Sequence, residues 1–150
     1  MASAAEITDP AEIEEIIRSA RYLFLAIRDD PAPYLVPLFF GYVPGRLYIH
    51  CAKAGAKLDL MGKNPCVGFG LAEEPGIIPA DSACGFSAKT RSIIGDGIAR
   101  IVSDPRERIA GLNAIMSRYS TAKPVYKPDS LERTCVIAID IRKLKAKKVG

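Results

Sequence analysis

The chain deals out its apolar residues in short runs, each closed by turn-forming residues. The runs are Tyr22–Arg28 (YLFLAIR), Tyr34–Tyr42 (YLVPLFFGY), Leu47–Cys51 (LYIHC), Cys66–Ala72 (CVGFGLA), Arg91–Val102 (RSIIGDGIARIV) and Thr134–Ile141 (TCVIAIDI). Runs of this length, rich in β-branched and aromatic residues, read as strands. Roughly six strands with hairpin connections and flanking helices predict a mainly β chain, an antiparallel barrel and not a doubly wound sheet. Pro37 has no N–H to give to a ladder, so its strand needs an edge or a bulge there. Val43–Arg46 (VPGR) makes a hairpin turn, and Gly95 and Gly97 predict a bend in the long fifth run.

Two helices carry start signals. Asp9 is a good N-cap, Pro10 suits the first helical position and Glu12 can complete a capping box. The helix predicted over Pro10–Ala20 turns Ile13, Ile16, Ile17 and Ala20 to one side. Asp104–Glu107 repeats the pattern before a helix reaching about Tyr119, with Ile109, Leu112, Ile115 and Met116 expected inside. Glu73–Thr90 is expected as a long irregular excursion and Thr121–Arg133 as a loop. The basic tail after Ile141 (RKLKAKKVG) is expected to fray.

Composition narrows the function class. At 150 residues, a single domain over 1–150 is expected, with no repeat or linker. A net charge of +4 favours small anions but is far from the dense basic stripe of a nucleic-acid binder. No apolar run is long enough to span a bilayer, and the acidic N-terminal stretch lacks an apolar signal core, so a cytoplasmic protein is expected. Cys51, Cys66, Cys84 and Cys135 show no C-x-x-C spacing and are expected to stay reduced. A metal site from His50, Cys51 and Cys84 would lack ligand spacing, so no metal is expected.

The richest local chemistry lies in Leu47–Pro65 (LYIHCAKAGAKLDLMGKNP), a strand, a small-residue turn and a short basic helix. Ala54, Gly55 and Ala56 let a ligand approach the backbone, and the amides at the helix start favour an anion. Lys53 and Lys57 add positive charge, which makes a candidate phosphate cradle. A strand-turn-helix with solvated lysines is the plain alternative, because the full P-loop pattern is missing. His50, the only histidine, is either a hydrogen-bonded strand residue or a group at the site. Leu47 and Ile49 should face the core, pointing Tyr48 and His50 the other way.

The order of these motifs resembles that of the pyridoxamine 5′-phosphate oxidase-related, FMN-binding split-barrel proteins, in particular the nitroimidazole-reductase-like branch. The segments carrying it are Pro37–Phe40, Tyr48–Lys57, Asn64–Pro65 and Arg91–Gly97. The resemblance implies a split barrel and a homodimer with FMN at the subunit interface. It places the phosphate on Lys57 and the Gly55–Ala56 backbone, with Cys51 and Ala52 leading into that turn. The ring would lie along Val36, Pro37, Leu38 and Phe39, with His50, Arg91 and Ser92 beside it. The chain departs from the oxidase itself. It has no tryptophan, carries YLVPLFF in the second strand and ends in KLKAKKVG, so oxidation of pyridoxamine phosphate is not implied.

The functional expectation is therefore a small FMN-dependent reductase or oxidase, with His50 as the candidate catalytic group. A non-enzymatic flavin or electron carrier, and a haem-binding relative with His50 as axial ligand, are the alternatives.

Overall fold

The computed structural model describes residues 4–150. In chain order its elements are β1 (Ala4–Ile7), α1 (Pro10–Ser19), β2 (Leu23–Ile27), β3 (Tyr34–Leu38), β4 (Gly41–Val43), β5 (Arg46–Ala52) and α2 (Ala56–Lys63). There follow β6 (Cys66–Ala72), β7 (Gly76–Ile78), β8 (Ser87–Ile101), α3 (Pro105–Tyr119), α4 (Pro128–Arg133) and β9 (Thr134–Val149). All strand pairs are antiparallel, and the main path runs β3-β2-β6-β8-β9-β5-β4. β3 and β4 stand at opposite ends of that path, yet only Phe39 and Phe40 join them. So short a link reaches about 10 Å, so the sheet must curl until its two edges nearly meet. The result is a split barrel, as expected.

Pro37 sits on the edge strand β3, opposite Phe24, where its missing N–H costs no ladder bond. Gly45, at φ +80°, makes the turn between β4 and β5. β8 carries a register shift between Asp96 and Gly97. There β9 comes so close that a Cβ on Gly97 would lie 2.5 Å from the Asp140 carbonyl oxygen.

The barrel interior is filled by Leu23, Leu25 and Ile27 of β2, Val67 and Phe69 of β6, and Ile137 and Ile139 of β9, among others. A second cluster lies outside the barrel beneath α3, where Tyr48, Val136 and Ala138 meet Leu112 and Ile115. β5 and β9 are thus buried on both faces.

Several expectations change in three dimensions. The basic tail is not frayed. β9 runs on to Val149, held by β8 on one side and by β1 on the other. Ala146 is buried there, and Lys143, Lys145 and Lys147 point out, so ladder bonds on two sides outweigh an unpromising composition. The 73–90 excursion contains β7, which pairs with the start of β8. The 121–133 loop contains α4. On α3, Ile109 and Met116 lie at the exposed rim, because the buried stripe is centred on Gly111, Leu112 and Ile115. Gly111 decides that rotation. A Cβ there would come within 2.8 Å of the Tyr48 ring.

Candidate functional site

α1 and α3 are closed at their starts by aspartates. Asp9 accepts from the Ala11 amide at 3.1 Å, and Asp104 from the Glu107 amide at 3.0 Å. α2 is built differently. Its N-cap is Gly55 at φ +135°, a conformation natural to glycine, and no side chain caps it. The Gly55 carbonyl accepts from the Leu58 and Asp59 amides, and the chain before the helix is all small or basic. Uncapped amides at a helix start carry partial positive charge and suit an anion. Lys57 is half-buried beside them, while Lys53, Ala54, Gly55 and Ala56 are exposed. Met61, Leu58 and Leu60 bind the helix to the barrel interior, which fixes where this end points.

Tyr48 and His50 do face away from Leu47 and Ile49. Tyr48 enters the second core cluster, and His50 is exposed at the strand end. Cys51 is half-buried and Ala52 exposed, directly before the turn. Next to the turn is a cavity of about 290 Å³, with Lys53, Arg108, Thr134 and Cys135 on its walls. On the edge strand, Val36 and Leu38 are half-buried and Pro37 and Phe39 exposed. Phe39 packs edge-on against Tyr119 at 4.8 Å between ring centres.

Arg91 and Ser92 are not brought to this turn within the chain. Ile101 on β8 pairs with Ile137, which pairs with Ile49, so the cradle lies near the far end of β8. Arg91 to Ile101 is roughly 30 Å of extended strand. The Arg91 guanidinium is also engaged elsewhere. It donates twice to Glu73 at 2.7 Å and once to Glu15 at 2.9 Å, with Glu12 at 3.6 Å. The expected capping box is thus not what engages Glu12, which faces Arg91 and Lys148.

A second ion cluster escaped the sequence reading. Glu107 accepts from Arg100 at 2.6 and 3.0 Å, from Arg46 at 3.0 Å and from the Tyr48 hydroxyl at 3.1 Å, and both arginines also reach Asp140. Glu107 had a visible local role at the helix start, and no local pattern marks a long-range one. The hydrogen bonds from Arg100 hold the Glu107 carboxyl below the usual carboxylate range, and those from Arg91 do the same for Glu73. A carboxyl whose folded pKa is depressed contributes stability above its unfolded value, and loses it as pH falls through the folded one. Acid unfolding should thus begin below about pH 4.3, the ordinary glutamate value. Glu107→Gln should flatten that acid limb in urea titrations run at several pH values, and an unchanged limb would show that the cluster contributes nothing.

The family model for pyridoxamine 5′-phosphate oxidase matches residues 9–148. The chain belongs to the pyridoxamine 5′-phosphate oxidase family. Solved structures place it on the same barrel as several others of this kind. A candidate 5-nitroimidazole antibiotic resistance protein from Bacteroides thetaiotaomicron superposes with a TM-score of 0.89 at 25% identity, over 100% of this chain and 90% of that one. An FAD- and haem-binding protein from Mycobacterium smegmatis gives 0.83 at 19% identity, over 96% and 73%. An FAD-binding protein from Mesorhizobium loti gives 0.72 at 19% identity, over 100% and 99%. No curated protein sequence matches significantly. Within the pyridoxamine 5′-phosphate oxidase family's matched span lie every strand from β2 to β8 and the open start of α2.

Proposed function

We propose that this member of the pyridoxamine 5′-phosphate oxidase family binds FMN and works as a homodimeric flavin-dependent oxidoreductase on a small molecule. The observation that carries the reading is the uncapped start of α2, with Lys57 beside it and only small or basic residues before it. That donor set fits a phosphate monoester. Lys57 and the Gly55–Ala56 backbone would hold the phosphate, Val36–Phe39 would line the ring, and Cys51 and Ala52 would flank the turn. A bound flavin would supply the hydride and electron chemistry, while the protein orients it and limits water access. His50, exposed beside the turn, is the candidate proton donor.

The distance between Arg91–Ser92 and the turn supports a site completed by a second copy. So does the outer sheet face. Pro37, Phe24, Gly70, Ile94 and Lys145 form one continuous row across five strands. Ile94 is 61% exposed, and Leu35, on the same face, 64%. A Cβ on Gly68 or Gly70 would meet nothing closer than 3.7 Å, so no contact inside the chain requires glycine at either position. A flat apolar face of this kind suits a close partner.

Lysine-to-phosphate hydrogen bonds are charge-assisted and worth about 1.5–3 kcal/mol. Lys57→Ala should accordingly weaken FMN binding roughly tenfold or more in a fluorescence titration, with an unchanged circular dichroism spectrum. Equal affinity would remove Lys57 from the site. The mass of the released flavin separates FMN from FAD, and a Soret band would favour haem with His50 as ligand. Turnover with a reduced nicotinamide and an electron acceptor separates enzyme from carrier. On flavin-saturated protein, His50→Ala should slow that turnover while the melting temperature holds; the reverse pattern would make His50 structural.

A further inference from the structure

Cys51 and Cys135 are 84 positions apart in the chain, and the fold sets them directly opposite each other as a cross-strand pair of β5 and β9. We infer that these two thiols form a reversible intrachain disulfide when a peroxide oxidises them. This stands independently of the flavin reading.

Opposed residues of an antiparallel pair have Cα atoms about 4.5–5.5 Å apart, inside the range of about 4.4–6.8 Å that a disulfide spans. The two side chains point the same way, Cys135 into the barrel core and Cys51 packed against it, and each thiol shifts the other's acidity. Only the pair Ala52–Thr134 follows before the ladder ends, so the strands can adjust there without disturbing the rest of the sheet. Cys66 and Cys84, both exposed, have no such opposed cysteine: Cys66 faces Ile98, and Cys84 lies outside the ladders in a 3₁₀ turn.

Cys51 is half-buried, and Cys135, 7% exposed, borders the 290 Å³ cavity beside Lys53 and Arg108, so the pair lies within reach of a molecule as small as hydrogen peroxide. Burial pushes the Cys135 thiol up, and the charges of Arg108 and Lys53 oppose that push. Burial also raises the Cys51 thiol, and the charge of Lys57 opposes it. The thiolate is the reactive form, so reaction should be slow near neutrality and faster at alkaline pH. The chemistry balances in two steps. One thiolate of the pair attacks a peroxide oxygen, the O–O bond breaks, and the departing hydroxide takes up the proton that thiol had released, leaving a sulfenic acid and one water. The partner thiol then attacks that sulfur, the S–O bond breaks, a second water leaves and the S–S bond forms. The two thiols lose two electrons, which peroxide accepts. The closed bond would clamp the strand that leads into the phosphate turn onto the central strand β9.

The test uses full-length protein carrying Cys66→Ser and Cys84→Ser, which leaves only the pair in question. After hydrogen peroxide at mildly alkaline pH, thiols are alkylated under denaturing conditions and the digest is mapped by mass spectrometry. The expected result is a major peptide linking Cys51 to Cys135 within one chain, returned to two alkylated thiols by dithiothreitol. Its melting temperature should stand several degrees above that of the reduced form. Any of three results overturns the inference: both thiols alkylated as before treatment, one thiol carried to sulfinic acid with the other untouched, or a link found only between chains. Should the double variant fail to fold, peptide mapping of the wild-type chain reports the same link and is judged by the same outcomes.

Discussion

Phe40→Ala should lower the unfolding free energy by about 3–5 kcal/mol, the usual cost of emptying a buried aromatic site. Phe40 is fully buried, and with Phe39 it forms the short chain link between the edge strands β3 and β4. Two side chains of α3, Tyr119 and Arg118, converge on it. Its amide donates to the Tyr119 hydroxyl at 3.3 Å, and that hydroxyl donates on to the Arg21 carbonyl. The Arg118 guanidinium lies 4.0 Å from its ring centre and donates to the carbonyls of Ile17 and Ala20 at the end of α1. Arg118 Nε has no hydrogen-bond partner of its own, so the face of the aromatic ring is what this end of the guanidinium rests on. Alanine would remove the ring, leave a cavity and strand a cation. Phe40→Leu keeps most of the volume but not the π face, and should fall between alanine and wild type. Urea unfolding of the three proteins gives the ranking directly. A loss below about 1 kcal/mol for alanine would mean that the split closes without Phe40.

Ile94→Asp should separate the proposed dimer and release its flavin while leaving each barrel folded. Ile94 stands in the middle of the exposed cross-strand row, between Gly70 and Lys145. In a lone chain an aspartate there is solvated and lies beside a lysine, so the barrel itself should tolerate it. In an apolar interface the same carboxylate would lose its water without gaining a full partner, at a cost of about 3 kcal/mol or more. That raises the dimer dissociation constant roughly a hundredfold. Sedimentation at micromolar concentration should find wild type at twice the chain mass and Ile94→Asp at the single-chain mass. Flavin affinity should fall with it if, as proposed, the site draws on both copies. A monomeric variant that holds flavin as tightly as wild type would refute the shared site, and a wild-type monomer would refute the dimer.

Local patterns carried much of this into the sequence. The caps at Asp9 and Asp104 act within three residues, and both are present. The Cys66–Ala72 strand and its alternation needed only neighbouring side chains, as did the small-residue turn before α2. Even the β9 tail was partly legible. Lysines at 143, 145 and 147 alternate with Leu144 and Ala146, the period of a strand, but their charge suggested a loose end. What rescued the tail was hydrogen bonding to β1 and β8, and nothing inside the segment reports its neighbours.

The same limit explains what only the tertiary structure decided. Arg91 lies far along its strand from the turn before α2 because β8 is long and pairs throughout with β9. Glu107 joins Arg46 and Arg100 because α3 docks on β5, and it docks closely because Gly111 presents no side chain to Tyr48. Cys51 meets Cys135, and Ile94 meets the row of Pro37, Phe24 and Gly70, only through the register of the sheet. Caps, turns and periodicity involve residues a few positions apart, so a single sequence displays them. Register is set by contacts between distant segments, whose energies are shared across the whole core and written in no one window of the chain.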